Sequence, residues 1–308
     1  MKKIIYLLCS LLPILGLNAN EIVVMDMVHH NPGEAFTVSM FNDPSVLRDY
    51  GFNGQVINEF KPPHCAITYD EFDRGIFPEG SDEREWVEEL AARIDRQIAQ
   101  VHAQGLKAYY FMDIILFPKS LVEKYNEHVC GLNGKIDWDK PLTKELHRVM
   151  LRELFNRFPG IDGLVVRTGE NYRQNIPYHA GNELVNNSRK DEAIRKHGEL
   201  VKLLREEVCI KRGKDVIYRT WDYAFNAERG FLHTQPEYYI GVSQQVEPHP
   251  HLYFAIKHTE GDYFRTFPFN RTIGIGSHKQ IIEVQCQREY EAKGAYANYV
   301  AESVINGF

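Results

Sequence analysis

The stretch QIIEVQCQREY, residues 280–290, sets a carboxylate, Glu283, among the β-branched residues Ile281, Ile282 and Val284. An interior strand tolerates an ionised group only where that group is paired or meets solvent at a strand end. The same design recurs along the chain, where apolar runs break into charged and aromatic residues. The first run leads to Asp26, His29 and His30, and the third contains Asp113. VVRTGE supplies Arg167 and Glu170, and YRTWDY supplies Arg219, Trp221 and Asp222. IKHTEGDYFR supplies Lys257, His258, Asp262 and Arg265, and the last run supplies Glu283, Gln285, Arg288 and Glu289. Carboxylates facing one another across a cleft are the equipment of glycoside hydrolysis. One protonates the leaving oxygen, and the other activates water or attacks the sugar. Each residue also has a purely structural reading. Asp26 or Asp222 would pair with a neighbouring cation, and Glu283 with Arg288.

The elements that must position these groups alternate between strand and helix. Apolar, β-branched runs at residues 21–28, 54–60, 106–117, 161–170 and 215–223 read as strands, with a sixth inside 251–264 and a seventh in 280–290. Between them, residues 82–105 carry Trp86, Leu90, Ile94 and Ile98 at four-residue spacing and end on Gly105, the pattern of an amphipathic helix. Residues 142–160 and 191–213 read as further helices, and 234–250 as a short irregular one. Such alternation implies a parallel sheet with right-handed crossovers. No glycine-rich phosphate turn follows the first strand, which favours a closed barrel over a nucleotide-binding open sheet. The fold class expected is α/β, a (β/α)8 TIM barrel that stops before its eighth strand. Active sites of such barrels lie at the C-terminal ends of the strands.

The 308 residues are 44% hydrophobic and 25% charged, an ordinary globular composition. A net charge of −6 argues against nucleic acid or an anionic membrane surface as partner. Two lysines, an apolar run over residues 4–17 and the small residues that follow read as a signal peptide over residues 1–19. Residues 20–308 then form the barrel domain of an exported protein, periplasmic or extracellular. The apolar run is shorter than the roughly 20 residues of a membrane span. Cys65, Cys130, Cys209 and Cys286 are scattered and read as buried thiols more than as a disulfide framework. No spacing suits a metal, and no cofactor is expected.

In order, IDGLVVRTGEN, VIYRTW, AIKHTEGDYF and EVQCQREYEAKGAY resemble the core of the family 67 α-glucuronidases over roughly residues 162–299. That resemblance implies a (β/α)8 catalytic domain that releases glucuronic acid, or its 4-O-methyl form, from xylan-derived sugars with inversion. It makes Glu170 the general acid, and Asp262 and Glu283 the carboxylates flanking the attacking water. Arg167, Arg219 and Lys257 fall near the uronate pocket, with Trp221 and His258 as further substrate-binding positions. The chain departs from the family in having Arg167 three positions before the acid, where the family has a lysine four before it, and in the loop after Glu170. Two alternatives stand beside this reading. One is a retaining glycosidase using Glu170 and Glu283, and the other is a glycan-binding barrel without turnover.

Overall fold

The computed structural model describes residues 25–28, 40–59, 61–169, 173, 175–185, 188–222, 230–261 and 267–284. Seven strands among them form one parallel sheet: β1 (Met25–Val28), β2 (Gly54–Ile57), β3 (Lys107–Asp113), β5 (Gly163–Arg167), β7 (Asp215–Arg219), β8 (Leu252–Lys257) and β9 (Lys279–Glu283). Two short strands, β4 (Leu116–Pro118) and β6 (His179–Gly181), make a separate antiparallel ribbon. The helices are α1 (Pro44–Asp49), α2 (Asp82–Ala103), α3 (Lys119–Lys124), α4 (Asn126–Val129), α5 (Pro141–Arg157), α6 (Lys190–Leu204) and α7 (Pro236–Ser243).

Spatial order in the large sheet follows chain order without reversal. A doubly wound sheet reverses direction and carries helices on both faces. Continuous winding in one direction instead sends every right-handed crossover to the same face. The burial pattern agrees. Tyr110, Met112, Leu164, Val166, Val216, Tyr218, Phe254 and Ile256 join one core with α2, α5, α6 and α7. The alternate residues Val56, Tyr109, Phe111, Val165, Ile217 and Ala255 form a second, smaller cluster with Tyr253 and Ile281. A parallel sheet must cover both faces, and this one covers its second face by curling on itself into a half-barrel. The signal peptide expected over residues 1–19 falls outside the described residues, as does the chain from residue 285 onward. No helix among the described residues is long and apolar enough to cross a membrane.

Local chemistry explains the boundaries. Ser81 caps α2 by accepting from the Arg84 amide, and Asp82, Glu83 and Glu85 sit in the first turn, where the helix dipole favours them. Gly105 follows in the left-handed region at φ +74°. At the bottom of the concave face, Gly163 makes room for the Tyr109 ring: a Cβ there would lie 2.7 Å from the ring and 2.8 Å from the Asp215 carbonyl. Tyr109 thereby reaches across to donate to Asp215 Oδ2 at 2.8 Å.

Two expectations are corrected. The third run is not one strand over 106–117. It ends at Asp113, and Ile115 takes φ +61°, a costly conformation for a β-branched residue. That turn sends Leu116–Pro118 into the antiparallel ribbon with His179–Gly181. The helix expected over 191–213 is regular only to Leu204 and continues as a π-helical turn over Arg205–Ile210. Cys65, Cys130 and Cys209 are buried free thiols, and Cys286 lies outside the described residues. Burial raises all three thiols, Cys209 to about 12, so none is a thiolate nucleophile near neutral pH.

Burial also depresses several histidines. His147 is lowered from 6.5 to about 4, His179 to about 3 and His233 to about 4, with desolvation the largest cause in each. These rings stay neutral in the fold but charge in the unfolded chain from about pH 6.5 downward. The unfolded state therefore binds more protons between pH 6.5 and about 4. Stability is expected to be full above pH 6.5 and to fall through that window by up to about 1.4 kcal/mol per pH unit for each histidine. Urea midpoints measured from pH 7.5 to 4.5 test this, and a flat profile would contradict it.

Candidate active site

Alternation along each strand decides what faces the concave side at its C-terminal end. Two residues beyond the inward Phe111, Val165, Ile217, Ala255 and Ile281 come Asp113, Arg167, Arg219, Lys257 and Glu283. The period of two therefore turns the apolar inner layer into a charged one within a single step. Strand pairing then sets Asp113 opposite Arg167 and Lys257 opposite Glu283.

The charges are organised as two bidentate pairs. Arg167 donates from Nε to Asp113 Oδ1 at 2.6 Å and from Nη2 to Oδ2 at 2.8 Å. Asp113 is 1% exposed and Arg167 3%. Arg219 donates from Nε and Nη2 to the two Glu283 oxygens, each at 2.6 Å. Both guanidinium groups lie over one ring, Phe111, at 4.8 and 5.2 Å from its centroid. Phe111 is thus the floor on which the charged layer rests, a stacking that arginine favours. Lys257 Nζ sits 3.7 Å from the centroid of the half-buried Trp221 ring. Trp221 is itself stacked near Phe231 at 14° and packed edge-on with His233.

Of the residues named from sequence, Asp113, Arg167, Arg219, Lys257 and Glu283 belong to this layer, and Trp221 borders it. The partner of Glu283 is Arg219, while Arg288 lies outside the described residues. His258 is turned to the end of β9: its backbone N–H donates to the Glu283 carbonyl at 3.0 Å, and its ring Nδ1 lies 3.3 Å from the same oxygen. Burial lowers the pKa of this imidazole. Asp222 is fully buried and anchors a loop, its Oδ1 accepting from the Leu232 amide at 3.0 Å and its Oδ2 lying 3.6 Å from His197 Nε2. Glu170 and Asp262 lie outside the described residues, three positions beyond Arg167 and five beyond Lys257 in the chain. The side chain of Asp26, with His29 and His30, lies outside them too.

Sequence reasoning missed two contributors. Phe111 reads as an ordinary core aromatic, and only its position two residues before Asp113 marks it as inward. Asn58, two residues past the inward Val56, carries the same mark.

The fold and this mouth define a class: a half-barrel of parallel strands with a layer of paired carboxylates and guanidiniums at its C-terminal end. No protein-family model and no curated protein matches the chain. Similar solved structures include a GH138 enzyme targeting pectin rhamnogalacturonan II, with 12% identity, TM-score 0.45, and coverage of 77% of this chain and 26% of that one. A glycoside hydrolase family 5 enzyme from Prevotella bryantii B14 has 11% identity and TM-score 0.42, over 79% of this chain and 65% of that one. Dispersin B has 14% identity and TM-score 0.41, over 72% and 62%. This chain thus spans about a quarter of the first of these proteins and less than two thirds of the other two. At this level of overlap the likeness reaches neither a family nor an activity.

Proposed function

We propose that the protein is an exported glycoside hydrolase that removes uronic acid from substituted oligosaccharides, in the manner of an α-glucuronidase. The observation that carries this reading is the fixed Glu283 carboxylate on the concave face, in register with Lys257, whose Nζ lies over the Trp221 ring. Both of its oxygens accept hydrogen bonds from Arg219, the arrangement of an ionised carboxylate. That is the state required of a general base or a nucleophile, and not of the acid. The acid role falls to Glu170 and a share of water activation to Asp262, both by the resemblance described above. An aromatic face suits a sugar ring, and cations suit its carboxylate.

Inversion is the preferred course, because the resemblance supplies two carboxylates to flank a water. Retention would make Glu283 the nucleophile instead, with the carboxyl groups about 5–5.5 Å apart and not 6.5–9.5 Å. A second reading is a glycan-binding barrel without turnover. It is favoured by one feature: both carboxylates described in the layer, Asp113 and Glu283, are already held by a guanidinium. An assay on 4-O-methylglucuronoxylan oligosaccharides separates these readings. Release of free 4-O-methylglucuronic acid with inverted anomeric configuration is the expected result. Binding without release would leave the non-catalytic reading, and neither binding nor release would remove both.

A further inference from the structure

Between the C-terminal ends of β2, β3 and β5 and helix α2 lies a hollow lined by Asn58, Lys61, Asp113 and Arg167, with Leu90 and Gln97 on the helix side. Asp113 and Arg167 of the charged layer, with Phe111 beneath them, belong to its lining. Asn58 is 7% exposed, and its Oδ1 is buried without accepting a hydrogen bond. The other carboxylate and amide groups around it are differently placed. Asp113 accepts twice from Arg167, and Glu59 accepts from Gln97 Nε2 at 2.8 Å and pairs with Arg93 at 2.5 Å. A buried amide oxygen with no donor destabilises a fold, and a leucine of similar volume would not carry that cost. The cost is offset if a ligand brings the donor.

We propose that Asn58 is a specificity-determining residue that accepts a hydrogen bond from a sugar hydroxyl seated in this hollow. The assignment rests on the glycan reading above and extends it to a residue on the β2 side of the mouth. An amide oxygen can only accept, so it receives a hydroxyl proton and gains nothing from an ionised carboxylate, which has no proton to donate. The hollow therefore takes a neutral hydroxyl-bearing part of the glycan, and the acid group is left to the cations. A site built to accept from a hydroxyl discriminates strongly against sugars that lack or invert it, because its acceptor is then unpaired.

The test uses the full chain and 4-O-methylglucuronoxylan oligosaccharides, with binding by calorimetry and melting by circular dichroism. Asn58→Leu is expected to melt at or above the wild-type temperature and to bind about tenfold more weakly. Unchanged oligosaccharide affinity in Asn58→Leu would overturn the proposal and leave the glycan reading standing. A wild-type protein that binds no oligosaccharide would overturn the glycan reading and this assignment with it. Should Asn58→Leu not fold, Asn58→Ala is judged on the same affinity: a loss supports the role, and wild-type affinity refutes it.

Discussion

Glu283→Gln is expected to reduce kcat for uronic acid release by about 10²–10⁴-fold while KM changes little. The substitution preserves shape. It removes the negative charge that would activate water, and it sets an amide N–H₂ against one of the two Arg219 donors. Glu283 and Arg219 side chains are 12% and 8% exposed, so Arg219 is left largely buried with a weakened partner. A melting temperature lowered by several degrees should accompany the loss, since breaking a buried pair costs about 3–5 kcal/mol when the charge is uncompensated. Activity must therefore be measured well below the melting temperature of the variant. Rates within a factor of two of wild type in folded Glu283→Gln would remove Glu283 from the chemistry and leave it as the structural partner of Arg219.

The second large effect is expected at Asp113 and Arg167. Asp113→Leu and Arg167→Met should each destabilise by about 3–5 kcal/mol, because each removes the bidentate partner of a charge that is almost wholly buried. Methionine retains a flexible, polarizable contact with the Phe111 ring, so the Arg167 variant loses charge more than packing. The double variant should return to within about 1–2 kcal/mol of wild type, since replacing a buried pair by apolar groups of similar volume is often neutral. Denaturant midpoints on all four proteins give the coupling energy directly. Coupling below about 0.5 kcal/mol would show that the pair does not act as a unit. Oligosaccharide binding by the double variant separates structure from function. If stability recovers and binding does not, the pair shapes the mouth in addition to holding β3 against β5.

Much of this was legible in the residues. Apolar runs alternating with amphipathic segments predicted the order of strands and helices, and the absence of a glycine-rich turn pointed away from a nucleotide fold. Among the residues singled out at the ends of the runs, Asp113, Arg167, Arg219, Lys257 and Glu283 share one layer, whereas Asp222 anchors a loop and His258 turns to the end of β9. What failed was local: residues 106–117 read as one strand because Met112, Ile114 and Ile115 are equally at home in an extended chain. Nothing in their composition announces that Ile115 turns left-handed, since the turn is held by ribbon contacts from a segment over sixty residues away.

The sequence by itself determined which side chains share a face, because the period of two within a strand is a property of nearest neighbours. It carried Arg219 to the concave side with Ile217, and Glu283 there with Ile281. Only the tertiary structure decided which charges meet. The Asp113–Arg167 pair spans 54 positions and the Arg219–Glu283 pair spans 64. Such pairs depend on strand order, on register and on the curl of the sheet, which are set by the packing of the whole chain around its two apolar clusters. A glutamate in a β-branched strand is visible in one line of sequence. The arginine that holds it comes into reach only when the strand between them, β8, is laid down in register.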